Sequence, residues 1–188
     1  WILELCRTAE QISTNNNMRN LIITAITAMA MISCGPKSGD YQLHLLTTND
    51  IHGAYFDSSY VGNETRNSLF AIKAKVDEFR ENYGKENVIL LDDGDFLQGD
   101  NAAYYFNYID TTVTHLFSRM ADYMDYDVVV AGNHDIETGH AVYDRIAKEF
   151  GAAGIPFLAG NAIRNDNGSR YFPEYTILKR QGLKIAVL

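Results

Sequence analysis

Three short segments carry side chains able to hold metal ions and move protons: Asn49-Asp50-Ile51-His52-Gly53, Gly94-Asp95-Phe96-Leu97-Gln98-Gly99 and Gly132-Asn133-His134-Asp135. Each directly follows an apolar, strand-like run. Asp, His and Asn form a hard-to-borderline oxygen and nitrogen donor set suited to Mn²⁺, Zn²⁺, Fe or Mg²⁺, with no thiolate to select a softer ion. A carboxylate such as Asp95 can bridge two cations, one on each oxygen. Two metals roughly 3.5–4 Å apart can generate a hydroxide and clamp both ends of an in-line phosphoryl displacement. Together the segments describe one side of a two-metal phosphoesterase centre.

Each residue alone has a plainer reading. Asp50 could end a strand in an Asx-turn, Asp95 could cap the segment after it, and Asn133 could be a left-handed turn residue. His52 could be an ordinary satisfied polar group. The case for chemistry rests on the elements that deliver them. Leu43 to Thr48 reads as a first strand, Val88 to Leu91 as a short apolar strand buried on both faces, and Val128 to Ala131 as a third. Between them, Leu69, Ile72, Val76 and Phe79 mark one helix, and Val113, Leu116, Phe117, Met120 and Met124 a second, with Thr111 or Thr112 as its cap. Val142, Ile146 and Phe150 mark a third. This alternation predicts an α/β fold with a largely parallel sheet. Ligands of such sheets bind outside the carboxyl ends of the strands. Three strands therefore bring polar groups to the same edge.

Beyond the third helix, Phe157 to Ala159 reads as a further strand and Asn165-Asp166-Asn167-Gly168-Ser169 as a loop. Tyr175 to Lys179 and Leu183 to Leu188 flank Arg180-Gln181-Gly182 as a hairpin. The last strand runs to Leu188, so the chain is expected to be cut within its domain.

With 46% hydrophobic residues among 188, the chain can build one core. A net charge of −8 and a pI near 5.0 argue against binding a nucleic-acid polymer, which needs a basic face. Small phosphate esters remain open, because bound cations invert the local field.

Ahead of the domain, Met18-Arg19-Asn20 precedes Leu21 to Ile32, twelve uncharged residues. That length suits a signal-peptide core and is too short for a membrane span. Met31-Ile32-Ser33-Cys34-Gly35 resembles a bacterial lipobox, with Cys34 as the acylated residue. Residues 18–33 are thus expected to be a lipoprotein signal peptide and 34–42 a tether. Residues 1–17 are expected to be a non-native upstream extension, since Met18 is a natural start. Lipid on Cys34 would hold the domain at a membrane surface of the bacterial cell envelope.

The Asp-x-His, Gly-Asp and Gly-Asn-His-Asp blocks resemble those of calcineurin-like metallophosphoesterases. Thr48-Asn49-Asp50-Ile51-His52-Gly53 and Leu91-Asp92-Asp93-Gly94-Asp95-Phe96-Leu97-Gln98-Gly99 are similar to the secreted 5′-nucleotidase branch, which includes 2′,3′-cyclic-nucleotide phosphodiesterases and UDP-sugar hydrolases. The resemblance covers residues 43–188 and implies a sandwich of mostly parallel strands with flanking helices, cut after roughly its first half. It implies two divalent metal ions: Asp50 and His52 bind the first, Asp95 bridges, and Asn133 binds the second. His134 would face the phosphate, stabilising its charge or protonating the leaving oxygen. Where many relatives place an Asp to orient that His, this chain has Glu137, with Asp135 as a weaker substitute. A small nucleotide is the implied substrate. The family's later histidine ligands, in a Gly-His-x-His block, and its separate base-binding domain are not among these residues. The fragment alone is therefore expected to be inactive, and a non-catalytic lipoprotein domain is the rival of another class.

The other polar residues are expected to be structural. Asp92 and Asp93 read as turn or supporting groups and Asp100 as a solvated loop acid. His115 falls on the solvated face of the second helix, His140 lies at the surface, and His44 points away from the carboxyl edge. Tyr55, Tyr60, Tyr104, Tyr105 and Tyr108 follow the first two motifs, where loop packing is favoured over a substrate rim.

Overall fold

Runs of Val, Ile and Leu without polar interruption are stable only when covered on both faces, and this chain stacks them side by side. The computed structural model describes residues 38–58 and 65–188. Its central sheet holds β1 (His44–Thr48), β2 (Val88–Asp92), β3 (Val128–Val130) and β4 (Phe157–Leu158), all parallel and in that spatial order. Thr48 stands opposite Asp92, and Leu91 opposite Val128, so the carboxyl ends of β1, β2 and β3 lie level. The alternating burial of β1 suits its place at one side of the sheet, whereas β2 is buried at nearly every position.

Helices fill the crossovers. Ser68 caps α1 (Leu69–Tyr83), its hydroxyl accepting from Ala71 N at 3.1 Å. After β2 come α2 (Asn101–Tyr104), which runs into one π-helical turn at Tyr105–Ile109, and α3 (Leu116–Tyr123). After β3 come α4 (Asn133–Glu137) and α5 (His140–Ala153). Phe96 and Phe117 stack at 4.0 Å between ring centroids, and Phe150 and Phe157 close the cluster. Outside this sheet, β5 (Thr176–Arg180) and β6 (Leu183–Val187) form an antiparallel hairpin. The Arg180 guanidinium pairs with Asp127, which also accepts from Leu90 N at 3.0 Å and so ties the hairpin to β2.

The second predicted helix differs from expectation at its start. Val113 is exposed and precedes the helix, and His115, expected on a solvated face, is fully buried. Its Nδ1 accepts from Phe117 N at 3.1 Å, capping α3, and its Nε2–H donates to Asn107 Oδ1 at 3.1 Å. Burial, helped by Arg145, lowers its pKa to about 3, so the ring is neutral. The signal peptide, residues 1–17 and residues 34–37 of the tether, Cys34 among them, lie outside the described residues, as does Tyr60. No helix among the described residues is long and apolar enough to cross a membrane.

Two buried carboxylates organise the site edge. Asp135 is fully buried and accepts from the backbone N–H of Gly132 (2.8 Å), Asp95 (2.8 Å), Phe96 (2.9 Å) and Leu97 (2.8 Å). The loop after β2 is thereby fastened to the start of α4. Asp92 accepts from Thr48 Oγ1 at 2.5 Å and from Gly94 N at 3.0 Å. Burial pushes its pKa up to about 7, against the lowering effect of those bonds. A carboxyl whose folded pKa is raised binds its proton more tightly folded than unfolded. Its contribution therefore falls as pH rises from about 4, the unfolded value, to about 7.

Two outcomes follow for urea unfolding. Asp92→Asn should match the wild type near pH 4 and exceed it by about 1–3 kcal/mol at pH 8; a difference independent of pH would contradict the raised pKa. Asp135→Ala strands four buried or half-buried N–H donors and should cost about 3–5 kcal/mol. A loss under 1 kcal/mol would show that the four bonds do not hold the loops.

Candidate metal centre

The loops that follow β1 and β2 are bound to each other by their backbones. Asp93 N donates to Thr48 O (2.8 Å), Asp50 N to Gly94 O (3.1 Å), His52 N to Asp95 O (2.9 Å) and Asp100 N to His52 O (2.9 Å). This lacing holds Asp50, His52 and Asp95 in the left-handed region, at φ of 51°, 47° and 63°. Left-handed backbone costs a non-glycine residue about 1 kcal/mol or more, so it persists only where surrounding bonds fix it. Here it brings three candidate ligands to one edge. Two glycines make the approach possible. Gly94 has φ of 101° and lies against the backbone of Gly132, and a Cβ on Gly132 would collide with the Asp95 carboxylate.

The side chains meet as acceptors. His52 Nδ1 lies 3.0 Å from the Gln98 carbonyl, which can only accept, so Nδ1 carries a proton and Nε2 is the ring atom left to bind a cation. That Nε2 faces Asp50 Oδ1 at 3.6 Å. Ligand atoms of His52, Asp95 and His134 lie within 4.8 Å of one another. Asp95 Oδ1 accepts from His134 N at 2.9 Å, fixing the carboxylate plane while its other lone pairs stay available. This donor set fits a divalent cation with oxygen and nitrogen ligands.

His134 is oriented from behind. Its Nδ1 lies 3.0 Å from Glu137 Oε2, and Gln98 Nε2 donates to the same oxygen at 3.0 Å. The hydrogen bond to Glu137 raises the His134 pKa, and the same bond lowers that of Glu137. Nδ1–H therefore points to the carboxylate and Nε2 toward the open site. Glu137 thus makes a contact with His134 that the sequence left open. Asp135, weighed as a substitute, is turned inward to the backbone donors of the neighbouring loop.

The structure brings Asp50, His52, Asp95 and His134 to one edge, with Asn133 exposed at the first position of α4 beside them. Asp100 is not a free loop acid: its carboxylate pairs with Arg66. Sequence reasoning passed over Gln98 as a supporting residue and weighed Asp135 only as a weaker substitute for Glu137. Gln98 sits inside the second motif, so its place was visible, but its carbonyl contact with His52 is a property of loop shape.

Comparison with known proteins agrees with this geometry. Residues 43–185 match the calcineurin-like phosphoesterase family. Protein UshA of Salmonella pullorum is 30% identical over 154 residues, covering 81% of this chain and 26% of that protein. A 5′-nucleotidase of Vibrio parahaemolyticus is 27% identical over 184 residues, covering 92% of this chain and 30% of its own length. The crystal structure of the calcineurin-like phosphoesterase YfkN from Bacillus subtilis superposes with a TM-score of 0.64 at 26% identity, over 77% of this chain and 46% of that one. The chain thus spans about a quarter to a third of the length of the curated relatives it matches. From the match over residues 43–185, and from metal-ligand side chains gathered at the carboxyl edge of a parallel sheet, the chain belongs to the calcineurin-like phosphoesterase family.

Proposed function

We propose that these residues form one side of a two-metal centre that hydrolyses the phosphoester of a small nucleotide, as a 5′-nucleotidase does. The observation that carries this reading is the set of acceptors from three strand ends, with the oriented ring of His134 beside it. The relatives named UshA and 5′-nucleotidase support the nucleotide as substrate class. When bound, divalent cations would lower the pKa of a water and neutralise phosphate charge. Asp50 and His52 would hold the first cation, Asp95 would bridge, and Asn133 would hold the second.

His134 acts on the substrate itself. With Nδ1–H committed to Glu137, Nε2 either donates a hydrogen bond to a phosphoryl oxygen or passes its proton to the leaving oxygen. The raised pKa keeps that proton available nearer neutral pH. Asp135 and the loop lacing hold these groups in place before substrate arrives, so little reorganisation is needed.

Four protein ligands are too few for two cations, so this segment alone is inactive in our reading, and further ligands come from outside it. The lipobox-like residues 31–35 would place the protein on the cell envelope through lipid on Cys34.

In the protein carried to the length of its relatives, Mn²⁺-dependent phosphate release from AMP is expected, and Asp95→Asn should abolish it. Activity that survives chelation would contradict the metal assignment. Faster turnover of 2′,3′-cyclic AMP or UDP-glucose than of AMP would move the assignment to another branch. Glu137→Gln should lower kcat by about 10- to 100-fold with KM little changed, while Glu137→Asp retains most activity. Calorimetric titration of the present chain with Mn²⁺ should show binding that Gly132→Ala removes, because the new Cβ displaces Asp95.

A further inference from the structure

One residue stands behind both histidines of the site. The backbone carbonyl of Gln98 accepts from His52 Nδ1–H at 3.0 Å. Its side-chain Nε2 donates to Glu137 Oε2 at 3.0 Å, the same oxygen that accepts from His134 Nδ1–H at 3.0 Å. The two rings lie 5.4 Å apart between centroids, so their relative placement is set across this residue.

The two arms of Gln98 are anchored differently. Its backbone is fixed by its neighbours. Leu97 N donates to Asp135 Oδ1 at 2.8 Å, and Leu97 O accepts from the buried Asn107 Nδ2 at 2.5 Å. Asn107 is held in turn by the buried His115, whose Nε2–H donates to Asn107 Oδ1 at 3.1 Å. On the other side, Asp100 N donates to His52 O at 2.9 Å. The carbonyl arm is therefore set by the loop and does not depend on the side chain. The amide arm depends on the side chain alone, which is exposed and bonded to Glu137. Glu137 and His134 are themselves 55% and 37% exposed. An exposed pair is a weak restraint, because a long side chain keeps its rotamer freedom in water. A second donor on the same carboxylate oxygen narrows that freedom and fixes the direction from which Glu137 meets the ring.

We infer that Gln98 is a positioning residue: its backbone carbonyl orients His52, and its side-chain amide holds Glu137 so that His134 is oriented in turn. The catalytic consequence rests on the hydrolytic reading above; the structural consequence does not. Gln98 takes no proton and touches no substrate.

The two arms separate in nitrogen NMR of the imidazoles, recorded on the present chain with chelator at alkaline pH, where both rings are neutral. In the wild type, His52 and His134 should each carry the proton on Nδ1. Gln98→Ala should turn His134 into a mixture of tautomers and leave His52 on Nδ1. In the protein carried to the length of its relatives, Gln98→Ala should lower kcat for AMP about tenfold with KM little changed. Adding Glu137→Ala should then cost no more than Glu137→Ala alone, because Gln98 acts through that carboxylate. An unmoved His134 tautomer, a changed His52 tautomer, or additive losses in the double variant would each overturn the role. Failure of the longer wild-type protein to release phosphate from AMP would instead remove the nucleotidase reading and leave the NMR result to decide the place of Gln98.

Discussion

The site edge of this protein depends on a carboxylate that never faces substrate. Asp135 lies fully buried, collecting four backbone N–H groups from Gly132 and from the consecutive residues Asp95, Phe96 and Leu97. Burial alone would raise its pKa, and the four bonds pull against that rise. A buried carboxylate is costly unless its lone pairs are used, and here backbone donors use them. Three of those donors belong to the loop after β2, and the fourth stands just before α4. The loop's shape, the left-handed Asp95 and the start of α4 are therefore one interdependent unit. Remove the carboxylate and Asp95 loses its platform.

From this junction the constraint spreads outward. Asp95 turns back to accept from His134 N, and its backbone carbonyl accepts from His52 N. Gly132 must lack a side chain for that arrangement to close. His52 then presents Nε2 toward Asp50, and His134 presents Nε2 outward because Glu137 holds its other nitrogen. Each of the two imidazole rings is thus fixed by a bond from its Nδ1. That is the economy of a preorganised site: strain in the loops is held by backbone bonds formed during folding.

Much of this was legible in the sequence, for a physical reason. Buried parallel strands need uninterrupted apolar runs, so β2 and β3 announce themselves, and ligands placed just after them must sit at the carboxyl edge. The periodicity of Leu69, Ile72, Val76 and Phe79 and of Val142, Ile146 and Phe150 likewise marks α1 and α5. Other features carry no such signature. The segment Asn101–Ile109 leaves Tyr104, Tyr105, Tyr108 and Ile109 exposed and includes a π turn, so no 3.6-residue apolar stripe exists to detect. His115 looked like a solvated residue because its two nitrogens are satisfied by Phe117 N and Asn107, a non-local arrangement. Asp135 looked like a neighbour of His134 because sequence adjacency says nothing about which way a carboxylate turns.

The left-handed backbone at Asp50, His52 and Asp95 ties these observations together. A stability-only design would place Gly or Asn at such positions. Here three of the residues that bring metal-binding side chains to the edge occupy strained backbone, and the lacing between the first two loops holds each of them there. Strain maintained at one edge of a sheet, beside gathered carboxylate and imidazole groups, is a backbone geometry that clusters at functional sites. A cation held by His52 Nε2 and Asp50 Oδ1, which lie 3.6 Å apart, would use the positions that this backbone maintains. The backbone geometry and the donor set thus both fit the divalent cation that the family implies.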